Sequence, residues 1–128
     1  MARVIQTPKA PQAIGPYSQA VEVNAGRMLF LSGQIPLNPQ SGQLVSGDIA
    51  EETRQVMENL GAVLAAAGLT FSHVVRCGIF LVDLDDFSRV NEVYARYFPD
   101  SPPARATVQV SALPRGARVE IDAIAVAS

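Results

Sequence analysis

The chain contains one cysteine, one histidine and no tryptophan, and only 6% of its residues are aromatic. With Cys77 alone, an internal disulfide is excluded and a reducing compartment is the natural setting. His73 and Cys77 share no ligand spacing with a second cluster, so a zinc site is not expected. Neither stands where it could pair with a partner as an activated nucleophile. Apolar stretches long enough to cross a bilayer, roughly 20 residues, are missing. The opening "MARVIQTPKAPQAIGPYSQ" also lacks the apolar core of a signal peptide, so a soluble, cytoplasmic protein with no membrane association is expected. Positive charge is not in excess either: 10 Lys and Arg stand against 12 Asp and Glu, a formal net charge of −2. Bulk electrostatics therefore disfavours nucleic acid as a partner.

No repeat, low-complexity tract or linker divides the 128 residues, and a single domain spanning 1–128 is expected. With 48% hydrophobic and 17% charged residues, the composition is that of a compact globule. A chain of this size buries roughly two-thirds of its unfolded surface, enough for a core without staples.

The segment up to Pro16 reads as a proline-rich extended arm. "SQAVEVNAGRMLFLSG" reads as two strands around the turn Asn24-Ala25-Gly26, and "QIPLNPQSGQLVSG" as a loop. Asp48 is placed to cap a helix, with Glu51 three residues on. Ile49, Thr53, Val56, Leu60, Val63, Leu64 and Ala67 form a one-sided stripe along that helix, and Gly68 suits a left-handed end. "HVVRCGIFLVD" predicts a strand apolar on both faces. A second helix from about Asp85 carries Phe87, Val90, Tyr94 and Tyr97 on one side and stops at Pro99. "ARATVQV" and "ARVEIDAIAVA" predict two last strands joined by "SALPRG". The order β-β-α-β-α-β-β is an α+β fold, one sheet with two helices on one face. The opposite face still carries apolar side chains such as Ile124 and Val126. Leaving them in water costs about 25 cal/mol per Å², so a homo-oligomer is expected on this ground alone.

Among candidate functional residues, His73 and Cys77 read as structural. Asp83, Asp85 and Asp86 suit the start of a helix, where carboxylates are favoured by capping and the dipole. Gly33 and Gln34, at a strand end, fit a ligand-facing backbone or a plain turn equally well. Arg105 follows Pro-Pro-Ala and leads into a strand, which is unusual for a long cation. If Val110 opposes Arg115 across "SALPRG", Arg105 opposes Glu120, and both rise from one face about 5 Å apart at Cβ. An exposed cross-strand ion pair of little energetic value would leave the same trace.

The stretches "AIGPYSQAV", "LSGQIPLNP", "VNEVYARYF", "PARATVQV" and "VEIDAIAV", in this order from about Ala13 to Val126, resemble the RidA/YjgF family of reactive-imine deaminases. The resemblance implies a chorismate-mutase-like fold and a homotrimer with helices outside, sheets inside and sites between subunits. It implies hydrolysis of 2-iminopropanoate, 2-iminobutanoate and their enamines, such as 2-aminoacrylate, to 2-oxo acids and ammonia, as a control of metabolite damage. Carried over by position, Arg105 looks like the arginine gripping the substrate carboxylate, since a planar fork makes two charge-assisted bonds where lysine cannot. Glu120 looks like the group that orients the attacking water. Tyr17, Ser32, Gly33, Asn91 and Thr107 match positions that line the pocket. Many bacterial members carry cysteine where Thr107 stands, which excludes a thiol role there. No cofactor is implied, because a protonated imine is already a strong electrophile. Two alternatives stand beside this reading: an endoribonuclease or translation inhibitor, for which a basic groove and an acid–base pair are missing, and a non-catalytic binder of small carboxylates. The whole reading has Arg105 line a crevice between subunits beside the carboxylate of Glu120, with the two side chains on one side of the sheet.

Overall fold

A computed structural model describes residues 2–24 and 26–127. Its strands are β1 (Ala2–Ile5), β2 (Ala20–Val23), β3 (Arg27–Gln34), β4 (Val74–Leu81), β5 (Ala104–Gln109) and β6 (Val119–Ala127). Its α-helices are α1 (Ile49–Ala66) and α2 (Phe87–Ala95). The class is α+β, as expected, with both helices packed on one side of a sheet ordered β3-β6-β4-β5.

Local chemistry accounts for the helix ends. The Asp48 carboxylate accepts from the Glu51 N–H at 3.0 Å, satisfying a donor that would otherwise lack a partner at the first turn. Gly68 adopts a φ of +76°, closing the far end. On the inner side, Val56, Met57, Leu60 and Leu64 of α1 and Val90 and Tyr94 of α2 pack onto Ile79, Leu81, Val119, Ile121 and Ala125. Val63, expected on this stripe, remains 39% exposed. Cys77 is buried in the core, and its thiol pKa is pushed up to about 11, mainly by burial. The His73 ring accepts the Thr70 N–H at Nδ1, 3.1 Å away, a capping role at a short 3₁₀ turn.

Three expectations need correction. The arm before Pro16 begins with β1, which pairs with β2 in a separate two-stranded sheet, so the expected single sheet becomes two. β2 and β3 consequently do not pair as a hairpin; the turn expected at Asn24-Ala25-Gly26 falls on Ala25, which lies outside the described residues. Third, β5 and β6 are not neighbours. β4 lies between them, parallel to β5 and antiparallel to β6. The connection from β5 to β6 instead arches over the end of β4: Val110 donates to the Leu81 carbonyl at 2.8 Å and Val82 to the Arg118 carbonyl at 3.3 Å. Burial explains the order. β6 is buried or half-buried along its whole length, so it belongs inside the sheet, whereas β5, "ARATVQ", is partly exposed throughout and takes the edge.

The sheet face away from the helices is open in the single chain. It presents Phe30 at 68% exposure, Met28 at 51% and Val108 at 46%. No helix among the described residues is long and apolar enough to cross a membrane.

Candidate active site

Arg105 stands at the start of the edge strand β5, beyond Pro102 and Pro103. Its register partner is Cys77, which in turn faces Ala123. Paired residues project to the same face, so Arg105 rises on the helix side. There Asn91 of α2 accepts from its guanidinium at 2.6 Å. Three aromatic rings surround the same group: its central carbon lies 5.2 Å from the centroid of Tyr94, 5.5 Å from Tyr17 and 5.6 Å from Phe87. Such faces attract a cation without neutralising it. Burial lowers the guanidinium's pKa, while Tyr94, Cys77 and Tyr17 work against that shift; an arginine remains charged regardless. Among the described residues Arg105 makes no ion pair. The result is a half-buried positive charge, fixed in direction, with no acid of its own.

This cation lines a cleft of about 350 Å³ with Ile14, Gly15, Tyr17, Phe87, Asn91 and Thr107. Thr107 projects beside Arg105, and its buried hydroxyl has no hydrogen-bond partner. Buried polar atoms are rarely left so. A carboxylate held by Arg105 would offer this hydroxyl an acceptor. Arg105, Tyr17, Asn91 and Thr107, separately expected at a site, are thus brought together. Phe87 and Ile14 were not expected there. Phe87 follows the periodicity of the apolar helix face, which hides its second role, and Ile14, 92% exposed, has no periodic signal at all.

Ser32, Gly33 and Glu120 lie elsewhere. The register of β3 on β6 passes from Leu31↔Ala123 to Gln34↔Ile121, so Ser32 and Gly33 together oppose Asp122. This bulge re-aims the strand. The Glu120 carboxylate lies directly over Gly33: a Cβ there would overlap its oxygen and come within 2.8 Å of its carboxyl carbon. A side chain at this position would have to displace that acid. Glu120 pairs with Phe80, whereas Arg105 pairs with Cys77, three residues earlier on β4. Positions three apart on a strand face opposite sides. The expected direct pairing of Arg105 with Glu120 is therefore wrong, and within one chain the two side chains stand on opposite faces of the sheet. A space common to both requires two chains.

The family model described as endoribonuclease L-PSP matches residues 7–127. The chain belongs to this family, the RidA family. It is 70% identical over 127 residues to protein DfrA of Myxococcus xanthus, covering 98% of this chain and 97% of the relative. It is 57% identical over 124 residues to the 2-iminobutanoate/2-iminopropanoate deaminase of Mus musculus, covering 97% and 90%. The crystal structure of E. coli TdcF with bound serine aligns with a TM-score of 0.77 at 43% identity, covering 98% of this chain and 99% of that one.

Proposed function

We propose that this chain is a 2-iminobutanoate/2-iminopropanoate deaminase, a hydrolase acting on the C=N bond of small 2-imino acids, including those formed from 2-aminoacrylate. The observation that carries the proposal is the acid-free, aromatic-caged guanidinium of Arg105 in an open cleft. Relatives at 55–57% identity over nearly the full chain bear that enzyme name, and the relative with bound serine holds a small molecule with an α-carboxylate.

Arg105 grips the substrate carboxylate through two parallel charge-assisted bonds, with its fork held by Asn91. Thr107 donates its free hydroxyl to the same carboxylate, and Tyr17 and Phe87 flank the short side chain. The opposite wall comes from a neighbouring copy, whose Ser32 and Gly33 face the ligand and whose Glu120 accepts a hydrogen bond from the attacking water. Copies of the chain assemble through the open sheet face bearing Phe30, Met28 and Val108 into a homotrimer, as the family resemblance implies. Water adds to the carbon of the protonated imine, the C=N π pair moves to nitrogen, and the added water releases one proton to solvent, leaving a neutral carbinolamine. Proton transfer from the new hydroxyl to nitrogen then expels ammonia and leaves the 2-oxo acid. Positioning and preorganised electrostatics supply the acceleration. No step calls on a bound cofactor, and the setting is the cytoplasm.

The test generates 2-aminoacrylate from serine with a dehydratase and follows pyruvate release. Addition of the protein accelerates release, and Arg105→Ala abolishes the gain while the oligomer stays intact. Unchanged rates in that variant would refute the role of Arg105. A protein that binds 2-oxo acids but never accelerates hydrolysis would be a binder only, and RNA cleavage that survives Arg105→Ala would revive the ribonuclease reading.

A further inference from the structure

Tyr17 forms one wall of the cleft, yet it belongs to a part of the chain with little hold on the rest. Residues 2–24 are tied mainly to themselves. β1 pairs with β2, and the Gln19 side-chain amide donates to the carbonyls of Thr7, Ala10 and Pro11 while accepting the Thr7 N–H. The loop bearing Tyr17 closes on itself: the Tyr17 N–H donates to the Gly15 carbonyl at 2.8 Å, and its hydroxyl accepts the Ile14 N–H at 3.3 Å. Among the described residues, only two hydrogen bonds join residues 2–24 to residues 26–127, and Ser18 makes both. Its N–H donates to the Pro103 carbonyl at 3.1 Å and its hydroxyl to the Pro102 carbonyl at 2.5 Å.

The position of this clasp matters. Ser18 directly follows Tyr17, and Pro102 and Pro103 directly precede Ala104 and Arg105. Ser18 is 7% exposed, so water does not readily replace its bonds. Two prolines in sequence hold the accepting carbonyls stiffly, because each ring fixes its own φ. The clasp therefore fixes the distance between the loop that carries one wall and the strand that carries the cation. The other groups around Arg105, namely Asn91, Phe87 and Tyr94, come from α2 and do not depend on it.

We propose that Ser18 is a positioning residue: by fastening the 14–17 loop to the Pro102-Pro103 carbonyls, it sets the Tyr17 ring against the Arg105 guanidinium and so defines the carboxylate pocket. This rests on the carboxylate-binding part of the proposed function. Ser18 acts through Tyr17, so their effects are not additive.

The experiment measures two things in the full-length protein. One is steady-state hydrolysis of 2-iminopropanoate formed in situ; the other is calorimetric binding of 2-oxobutanoate. Ser18→Ala is expected to raise KM and weaken 2-oxobutanoate binding by about tenfold, as small misplacements do. Ser18→Thr, which keeps the hydroxyl, restores both. In a Tyr17→Ala background, Ser18→Ala adds less than about twofold. Wild-type KM and binding in Ser18→Ala, with only a lower Tm, would overturn the proposal, as would penalties that multiply in the double variant. If the wild type hydrolyses no imine, the deaminase reading fails, and the binding series still decides the role of Ser18. Absence of 2-oxobutanoate binding in the wild type overturns both.

Discussion

Arg105 and Glu120 stand on opposite faces of one sheet, so a site using both takes one residue from each of two chains. Chain mixing tests this directly. Arg105→Ala and Glu120→Gln are prepared separately, each expected to lose about 100-fold or more in kcat/KM, as when a preorganised electrostatic group is removed. The two variants are then unfolded, mixed in equal amounts and refolded, with different tags to report exchange. In a randomly mixed oligomer, half of the guanidinium donors and half of the carboxylate donors are intact. The two choices are independent in a cyclic assembly, so about one site in four is wild type. Pyruvate release should therefore recover to about a quarter of the wild-type rate, far above either parent. A single-chain site gives a different number, because every chain then carries one lesion and no mixture repairs it. Activity that stays at the parental level, in samples shown by native mass spectrometry to contain mixed oligomers, would refute the two-chain geometry.

Other consequences follow from particular contacts. Gly33→Ala inserts a methyl where the Glu120 carboxylate lies and should lower kcat by about 100-fold, the order expected for a displaced group. KM should change little, since Arg105 stands on the other wall; a wild-type kcat would contradict the placement of Glu120. Asn91→Ala removes the 2.6 Å bond that aims the guanidinium and should raise KM by about 10- to 100-fold, in line with roughly 1.5–3 kcal/mol for a hydrogen bond to a charged group. An unaltered KM would show that the aromatic rings alone fix the fork. Burial pushes the Cys77 thiol pKa up from its ordinary 9.0 to about 11. The unfolded state thus releases this proton first, and stability present below pH 9 falls by roughly 2–3 kcal/mol as pH rises to 11. Urea denaturation across that range should show the loss in the wild type and a smaller one in Cys77→Ala; identical slopes would refute the assignment.

Much of the fold was legible because its signals are local. Asp48, Glu51 and Gly68 mark the ends of α1 by chemistry that depends on nothing distant. The open sheet face was legible as well, since two crossover helices cannot cover both sides of strands that are apolar on both. Strand order was not. A short connection suggested that β5 and β6 were neighbours, yet β6 is apolar enough on both faces to demand a central place, while Thr107 and Gln109 suit an edge. That difference in composition was present in the sequence and outweighs the length of the connection. The cleft was half legible. Arg105 stood out because a cation at a strand start asks for a partner, and the residues carried over by resemblance with it, Tyr17, Asn91 and Thr107, do gather around it. Phe87 was hidden within a helical stripe. The role of Ser18 could not be read at all, because its partners, Pro102 and Pro103, lie far along the chain, the first 84 residues away, and are backbone carbonyls, which leave no trace in side-chain pattern.

The central claim is that a small organic acid sits on Arg105 with the glutamate of another copy facing it. A crystal structure of the protein with 2-oxobutanoate tests this most directly. The account predicts the ligand carboxylate in a two-pronged contact with Arg105 at about 2.8 Å, and Glu120 of an adjacent chain across the ligand's carbonyl carbon. A ligand bound away from Arg105, or a Glu120 from the same chain reaching it, would contradict the account.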